Sequence, residues 1–152
     1  MAILNRLPIK DRLISWGIDI NRDCCLCQEE LETRNHIFFG CSYSRSIWGM
    51  LLSLCGINKV IGDWSEELQW AIQNLKGRNL ASTLLKVAWK AFIYQVWKER
   101  NGRLHGNTAR INLQVLEAIR DVTRIRLAGL KRDTATNLGR QLSNSWELFD
   151  VC

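Results

Sequence analysis

The stretch RDCCLCQEELETRNHIFFGC, from Arg22 to Cys41, decides the fold, since it carries four of the chain's six cysteines and one of its two histidines. Two residues separate Cys24 from Cys27, a spacing at which two thiolates bind one Zn²⁺ from a tight turn. His36 and Cys41 follow after eight and four intervening residues and complete a set of four ligands. The spacing predicts one zinc ion held by Cys24, Cys27, His36 and Cys41.

Three thiolates and one neutral imidazole fill a tetrahedral zinc site, so the predicted site is structural and does not activate water. Cys25 is assigned no ligand role, because one residue between it and Cys27 gives too short a reach. Two alternatives remain open. In the first, the cysteines are small buried hydrophobic residues and His36 is an ordinary helix residue. In the second, Cys24, Cys25 or Cys27 performs thiol redox chemistry, for which the sequence shows no supporting strand–helix context.

Length and composition indicate a globular protein. The chain has 152 residues, of which 47% are hydrophobic and 24% charged, and it contains seven tryptophans. It fits one domain, or one domain with a small appendage. No secretory signal and no apolar run of membrane-spanning length are visible. We therefore expect an intracellular protein, nuclear or cytoplasmic, with reduced cysteines and no membrane partner.

Hydrophobic periodicity predicts an all-α fold: a small helical domain with an N-terminal CCHC zinc knuckle and two long C-terminal helices. One long helix is expected from Asn79 to about Leu104, and the next runs from Leu113 through an apolar stripe. Residues 1–60 are expected to form the knuckle with its flanking helices, and residues 61–152 a helical extension that packs with the first part or stands apart. The apolar stripe consists of Val115, Ile119, Val122 and Ile125.

Helix ends are predicted from local residues. Pro8 is expected at the first position of a helix that stops at Gly17. Thr33 is expected to cap the helical turn that carries His36. Asp63 begins a capping box with an acidic cap, and Asn112 is expected to cap the last long helix. The tail is polar except for a segment expected to dock back through Trp146, Leu148 and Phe149.

The whole chain has a formal net charge of +6, and most of the basic surplus lies in its second half. Such a surplus is compatible with a polyanionic partner, namely RNA or single-stranded or duplex DNA. The candidate contacts are Lys86, Lys90, Lys98, Arg120, Arg124 and Arg126, with Lys131 and Arg132 beyond them. Phe38 and Phe39 either stack on unpaired bases or pack the knuckle against the following helix. The alternative for the lysines is an ordinary solvated helix face.

Several motifs are similar to those of a known family. Four segments resemble the reverse transcriptase zinc-binding domain of plant LINE-type (non-LTR) retroelement polyproteins. They are LNRLPIKDRLISWGI before the first cysteine pair, ETRNHIFFGC and SRSIW after it, and the later VWKERNGRLH. The resemblance implies Cys24, Cys27, His36 and Cys41 as zinc ligands. It also implies a module beside a reverse transcriptase that helps to hold template RNA or target DNA.

The chain departs from the family pattern at three points. Ile9 replaces a common threonine, and Gly40 stands where an acidic residue is frequent. The chain also begins almost inside the motif, so we expect upstream segments of the domain to be missing.

No enzymatic activity is expected. The sequence has no adjacent aspartate pair of the kind that holds two metal ions in a polymerase, and no evident acidic cluster of an RNase H. No small-molecule substrate is expected. The leading hypothesis is a non-catalytic zinc-stabilised module, derived from a retroelement reverse transcriptase, with auxiliary non-sequence-specific nucleic-acid binding. The alternative is a decayed or co-opted fragment that binds another protein and no nucleic acid.

Overall fold

The fold consists of helices and loops. The computed structural model of the protein describes residues 6–128 and 136–148, which contain no strand and one isolated antiparallel bridge between Asp23 and Leu31. The helices are α1 (Lys10–Ser15), a π-helix (His36–Gly40), α2 (Ser42–Leu54), α3 (Trp64–Asn74), α4 (Leu80–Leu104), α5 (Asn112–Leu127) and α6 (Asn137–Ser145). The predicted all-α fold is confirmed, and α4 and α5 are the two long C-terminal helices. None of the described helices combines the length and apolar character needed to cross a membrane.

Most of the predicted helix ends are confirmed. Thr33 Oγ1 accepts a hydrogen bond from the His36 backbone N–H at 3.1 Å. Asp63 and Glu66 form a reciprocal capping box at the start of α3. Gly17 follows α1 with a φ of +83°, a conformation that glycine adopts without strain.

Two predicted helix starts are wrong by one or two residues. The chain at Ile9 is still extended and α1 begins at Lys10, so Pro8 lies before the cap. Asn112 is the first helical residue of α5, and Ile111 occupies the cap position. The Asn112 side chain is used elsewhere, since its amide donates to Ser46 Oγ at 2.9 Å. This contact with α2 explains why a good capping residue is not the cap.

The core is built around Phe39. Its ring centroid lies 5.4 Å from that of Trp89 on α4, 5.7 Å from that of Trp64 on α3 and 6.0 Å from that of Trp48 on α2. Phe38 also contacts Trp64, at 5.2 Å between ring centroids. Both phenylalanines are fully buried. Of the two interpretations of Phe38 and Phe39, packing of the knuckle against the following helix is therefore confirmed, and stacking on nucleic-acid bases is wrong.

The C-terminal part adds to the same core. Trp146 is fully buried and its indole N–H donates to the Leu54 carbonyl at 3.2 Å, while Leu148 packs at the edge of the core. The predicted docking of Trp146 and Leu148 is confirmed; Phe149, Lys131 and Arg132 lie outside the described residues. Helix α6 was not predicted from its polar sequence.

The apolar stripe of α5 differs from the prediction at one end. Val115 and Ile119 are fully buried, but Ile125 is 71% exposed. Thr123 and Leu127 are buried instead. The Thr123 hydroxyl donates to the Ile119 carbonyl at 2.8 Å, and this intrahelical bond satisfies a polar group in the interior.

Replacing Phe39 by alanine should lower the free energy of unfolding by about 3–5 kcal/mol, because it empties the point where α2, α3, α4 and the π-helix meet. Ile72→Ala on α3 is the control, since Ile72 is 57% exposed and should change stability by less than about 0.5 kcal/mol. Denaturant unfolding followed by tryptophan fluorescence measures both. Equal effects of the two substitutions would contradict the burial of Phe39.

Candidate metal centre

The first two predicted ligands lie in a loop that folds back on itself. The Cys24 N–H donates to the Glu30 carbonyl at 2.7 Å, and the Glu32 N–H donates to the Arg22 carbonyl at 2.9 Å. Between these bonds the chain turns at Gln28, whose φ of +61° is unusual for a residue other than glycine. The Gln28 N–H donates to the Cys24 carbonyl at 2.8 Å and closes the turn that holds Cys24 and Cys27.

The π-helix brings the other two ligands to the same side of the chain. In an α-helix, residues five apart point in directions that differ by about 140°. Here the Cys41 N–H donates to the His36 carbonyl, an i→i+5 bond that places the two residues one wide turn apart. The four-residue gap between His36 and Cys41 therefore suits a π-turn. An ordinary helical turn was expected there, and the π-turn was missed although the ligand spacing was the signal for it.

The four predicted ligands converge. Cys24, Cys27, His36 and Cys41 each offer one donor atom, and these atoms all lie within 4.8 Å of one another. Cys24 Sγ and Cys41 Sγ are 3.9 Å apart, and Cys27 Sγ and His36 Nε2 are 3.2 Å apart. A tetrahedral zinc ion with bonds of about 2.3 Å to sulfur and 2.0 Å to nitrogen has ligand separations of about 3.5–3.8 Å. The group could hold one zinc ion.

Electrostatics in the group favour an anionic sulfur. A hydrogen bond between the Cys24 and Cys41 sulfurs lowers the pKa of Cys24 to about 5, against the opposing effect of burial. The Leu26 N–H, which lies 3.4 Å from Cys24 Sγ, also favours the thiolate. The same sulfur–sulfur contact raises the pKa of Cys41, as does its burial. Two buried thiols that cannot both ionise easily are suited to a divalent cation, which stabilises both thiolates.

The second nitrogen of His36 faces a carboxylate. Nδ1 lies 3.2 Å from Glu30 Oε2, although the two are not aligned for a hydrogen bond. Nε2, which faces Cys27, is the donor atom directed into the group. Histidines that bind metals through one nitrogen commonly donate the other N–H to a carboxylate, and Glu30 stands at the position of that partner without forming the hydrogen bond.

Cys25 lies outside the group, as predicted. Its Sγ is 3.6 Å from Glu32 Oε2 and 3.6 Å from the Arg100 carbonyl oxygen. Burial and the nearby Glu32 carboxylate raise the pKa of Cys25 to about 11, so it is a poor nucleophile. Burial also raises the pKa of Cys55, at the C-terminal end of α2, to about 12. Neither thiol has the lowered pKa that redox chemistry requires.

A buried ion pair joins the metal loop to α4. Arg100 Nε lies 3.1 Å from Glu32 Oε1, and the side chains of both residues are almost completely buried. Glu32 Oε1 also accepts the Lys10 N–H at 3.0 Å, and Lys10 Nζ donates to the Asp23 carbonyl. Neither Glu32 nor Arg100 was among the residues predicted to be functional. Both lie in segments that resemble the same family, which was the available signal.

The structure separates the predicted basic residues into two groups. Lys86, Lys90 and Lys98 lie on α4; Lys90 and Lys98 are exposed, and Lys86 Nζ donates to the Gly77 carbonyl at 2.7 Å. On α5, Arg120 pairs with Glu117 and Glu147, and Arg124 pairs with Asp121 and Glu147, whereas Arg126 is exposed. None of the six belongs to the metal centre. Their assignment to nucleic acid stays a prediction.

Comparison with known proteins agrees with this geometry. Residues 1–48 match the family model described as zinc-binding in reverse transcriptase. The match ends in α2 and includes all four residues of the group. No curated protein and no solved structure gives a significant match to the chain. The first third of the chain is thus similar to a reverse transcriptase zinc-binding domain, and it contains a Cys₃His group that could hold one zinc ion.

The ligand assignment predicts which cysteine is dispensable. Wild-type protein should contain one zinc ion per chain, and Cys27→Ser or His36→Ala should lose it, because each removes one of four ligands. Cys25→Ser should retain it, since Cys25 contacts Glu32 instead. Elemental analysis of purified protein, with thermal unfolding in parallel, measures both. A zinc-free Cys25→Ser protein, or a fully loaded His36→Ala protein, would contradict the assignment.

Proposed function

We propose that the protein is a non-catalytic helical module stabilised by structural zinc, derived from a reverse transcriptase, with auxiliary non-sequence-specific binding of nucleic acid. The observation that carries the zinc-binding part is the convergence of Cys24, Cys27, His36 and Cys41 within the segment that matches the family. A zinc ion held by these residues would cross-link the loop, the π-helix and the residue that precedes α2. The residues themselves position the donor atoms and exclude water, since Cys24 and Cys41 are buried.

The non-catalytic part rests on coordination chemistry. Four protein ligands leave a tetrahedral ion without an open position for water or substrate. The matched family is a zinc-binding domain and not the polymerase itself. Both points favour a role in folding and binding over one in chemistry.

The nucleic-acid part rests on the distribution of charge along α3 and α4. No aspartate or glutamate occurs between Glu67 and Glu99, whereas the same segment contains Lys76, Arg78, Lys86, Lys90 and Lys98. The Gly77 carbonyl accepts from Lys86, so the loop before α4 lies against its second turn and brings Lys76 and Arg78, the neighbours of Gly77, close to Lys86. A surface with cations and no acidic neighbours in its own segment suits phosphate contacts, which do not depend on base sequence.

Helix α5 is less suited to such contacts. Arg124 Nε donates to the Trp146 carbonyl at 3.0 Å, and its guanidinium is also paired with two carboxylates. Arg120 is likewise shared between two carboxylates. Cations already neutralised within the fold contribute little to an external polyanion. We therefore assign the nucleic-acid surface to Lys76, Arg78, Lys86, Lys90 and Lys98, which we call the α4 basic surface.

The proposed origin and partners follow from the family resemblance. We propose a plant LINE-type retroelement as the source, a reverse transcriptase as the neighbouring protein, and RNA or DNA as the ligand. The supporting observations are the LNRLPIKD, ETRNHIFF and VWKERN segments.

Removing two cations of the α4 basic surface should lower the affinity for nucleic acid and make that affinity less dependent on salt concentration. On a single strand each lost phosphate contact lowers the magnitude of the slope of log affinity against log salt by about 0.7, so Lys90→Gln with Lys98→Gln should lower it by about 1.4. The measurement is a titration of a fluorescently labelled single-stranded RNA or DNA at several salt concentrations. Both residues are exposed, so zinc content should not change.

The matched control is Arg120→Gln with Arg126→Gln, which removes the same charge from α5 and should leave the slope closer to that of wild type. A larger change of the slope in the α5 double variant than in the α4 double variant would show that the nucleic-acid surface lies on α5 and not on α4. Absence of wild-type binding at micromolar protein and low salt would contradict the nucleic-acid part altogether and favour the alternative of a protein-interaction module.

A further inference from the structure

The turn between the first two predicted zinc ligands receives a contact from far outside the matched segment. Arg103, on the last turn of α4, places Nη1 at 3.0 Å from the Leu26 carbonyl oxygen and 3.4 Å from the Cys25 carbonyl oxygen. Cys25 and Leu26 are the two residues between the ligands Cys24 and Cys27. The guanidinium thus holds the backbone of the turn from which two of the four ligands project.

Arg103 is itself firmly held. Its Nε donates to Glu99 Oε1 at 2.9 Å, and its Nη2 donates to the Arg110 carbonyl at 3.0 Å. Its guanidinium also lies over the Tyr43 ring, 4.7 Å from the ring centroid. Glu99 is 4% exposed and is fixed in turn by Arg110. A side chain anchored at this many points has little freedom left, so the carbonyls it contacts have a defined position.

The contact reaches the metal ligand through one peptide group. The Cys25 carbonyl and the Leu26 N–H belong to the same planar unit, in which oxygen and hydrogen point in opposite directions. Arg103 donates to the oxygen, and the N–H is directed at Cys24 Sγ, 3.4 Å from the nitrogen. A guanidinium that fixes the oxygen therefore also fixes the N–H on the sulfur.

We propose that Arg103 is a positioning residue of the metal centre, which sets the orientation of the Cys24–Cys27 turn from α4 and thereby raises the affinity for zinc. The inference rests on the zinc-binding part of the proposed function. It extends the determinants of metal affinity to a residue more than fifty positions beyond the family match. Outer contacts that orient metal ligands are commonly worth about tenfold to a hundredfold in metal affinity.

The test compares zinc affinity in full-length variants by competition with a chromophoric chelator at constant pH. Arg103→Met should raise the dissociation constant about tenfold to a hundredfold. Arg103→Lys keeps the charge but cannot reach both carbonyls while remaining bound to Glu99, so it should show a smaller increase in the same direction. The lysine variant keeps the test decisive if the methionine variant does not fold.

Arg124→Met is the matched control. Arg124 is also a half-buried arginine that donates to a backbone carbonyl and pairs with a carboxylate, but it does so at Trp146 and Glu147. Its loss should leave the zinc dissociation constant within about twofold of wild type. A general loss of stability would affect both arginine variants, whereas a positioning role affects Arg103 alone.

Cobalt substitution gives a readout of geometry. The visible absorption of tetrahedral Co²⁺ with thiolate ligands should change in position or intensity in Arg103→Met and stay unchanged in Arg124→Met. The inference is overturned if both Arg103 variants bind zinc as tightly as wild type and show its cobalt spectrum. Wild-type protein that binds neither metal would instead contradict the proposed function.

Discussion

The convergence of three sulfurs and one imidazole nitrogen on a single point is the constraint from which the rest of the structure follows. The donor atoms of Cys24, Cys27, His36 and Cys41 belong to a loop, a π-turn and the residue before α2. Without a cation this arrangement brings together buried thiols of which one ionises easily and another resists ionisation. With zinc bound, the same arrangement would cross-link these three short segments. Structural zinc in small fingers contributes about 10–16 kcal/mol at neutral pH, much of which is folding free energy.

The metal centre and the helical core share residues, so one is not a separate attachment to the other. His36 begins the π-turn, and the next residues, Ile37, Phe38 and Phe39, are fully buried between α2, α3 and α4. Arg100 and Arg103 on α4 contact Glu32 and the Cys25–Leu26 turn of the loop. A buried carboxylate without its partner is costly, so the Glu32–Arg100 pair requires the loop and α4 to assemble together. The expected division at residue 60 stays a prediction, but the contacts cross it at several points.

Much of this architecture could be predicted because it depends on local chemistry. Residues close together in the sequence determine four of its features: the ligand spacing, the cap at Thr33, the capping box at Asp63 and the apolar periodicity of α4. The π-turn was missed because standard periodicity assumes 3.6 residues per turn, although the His36–Cys41 gap does not fit that period. The Glu32–Arg100 and Arg103–Leu26 contacts join residues far apart in the chain, and no local pattern reveals them. For the same reason the sequence predicted Arg120 and Arg124 as part of a basic stripe for phosphate contacts, whereas in the structure both pair with Glu147.

Hydrogen exchange of the α4 backbone amides, with zinc bound and after its removal by a chelator, tests most directly whether metal and core form one cooperative unit. We expect Trp89 and Phe92 to lose much of their protection when zinc is removed and to regain it when zinc is restored, because their rings pack on Phe39 in the turn that begins at His36. Loss of protection confined to residues 22–41, with α4 unchanged, would show instead that the metal loop folds independently of the helices.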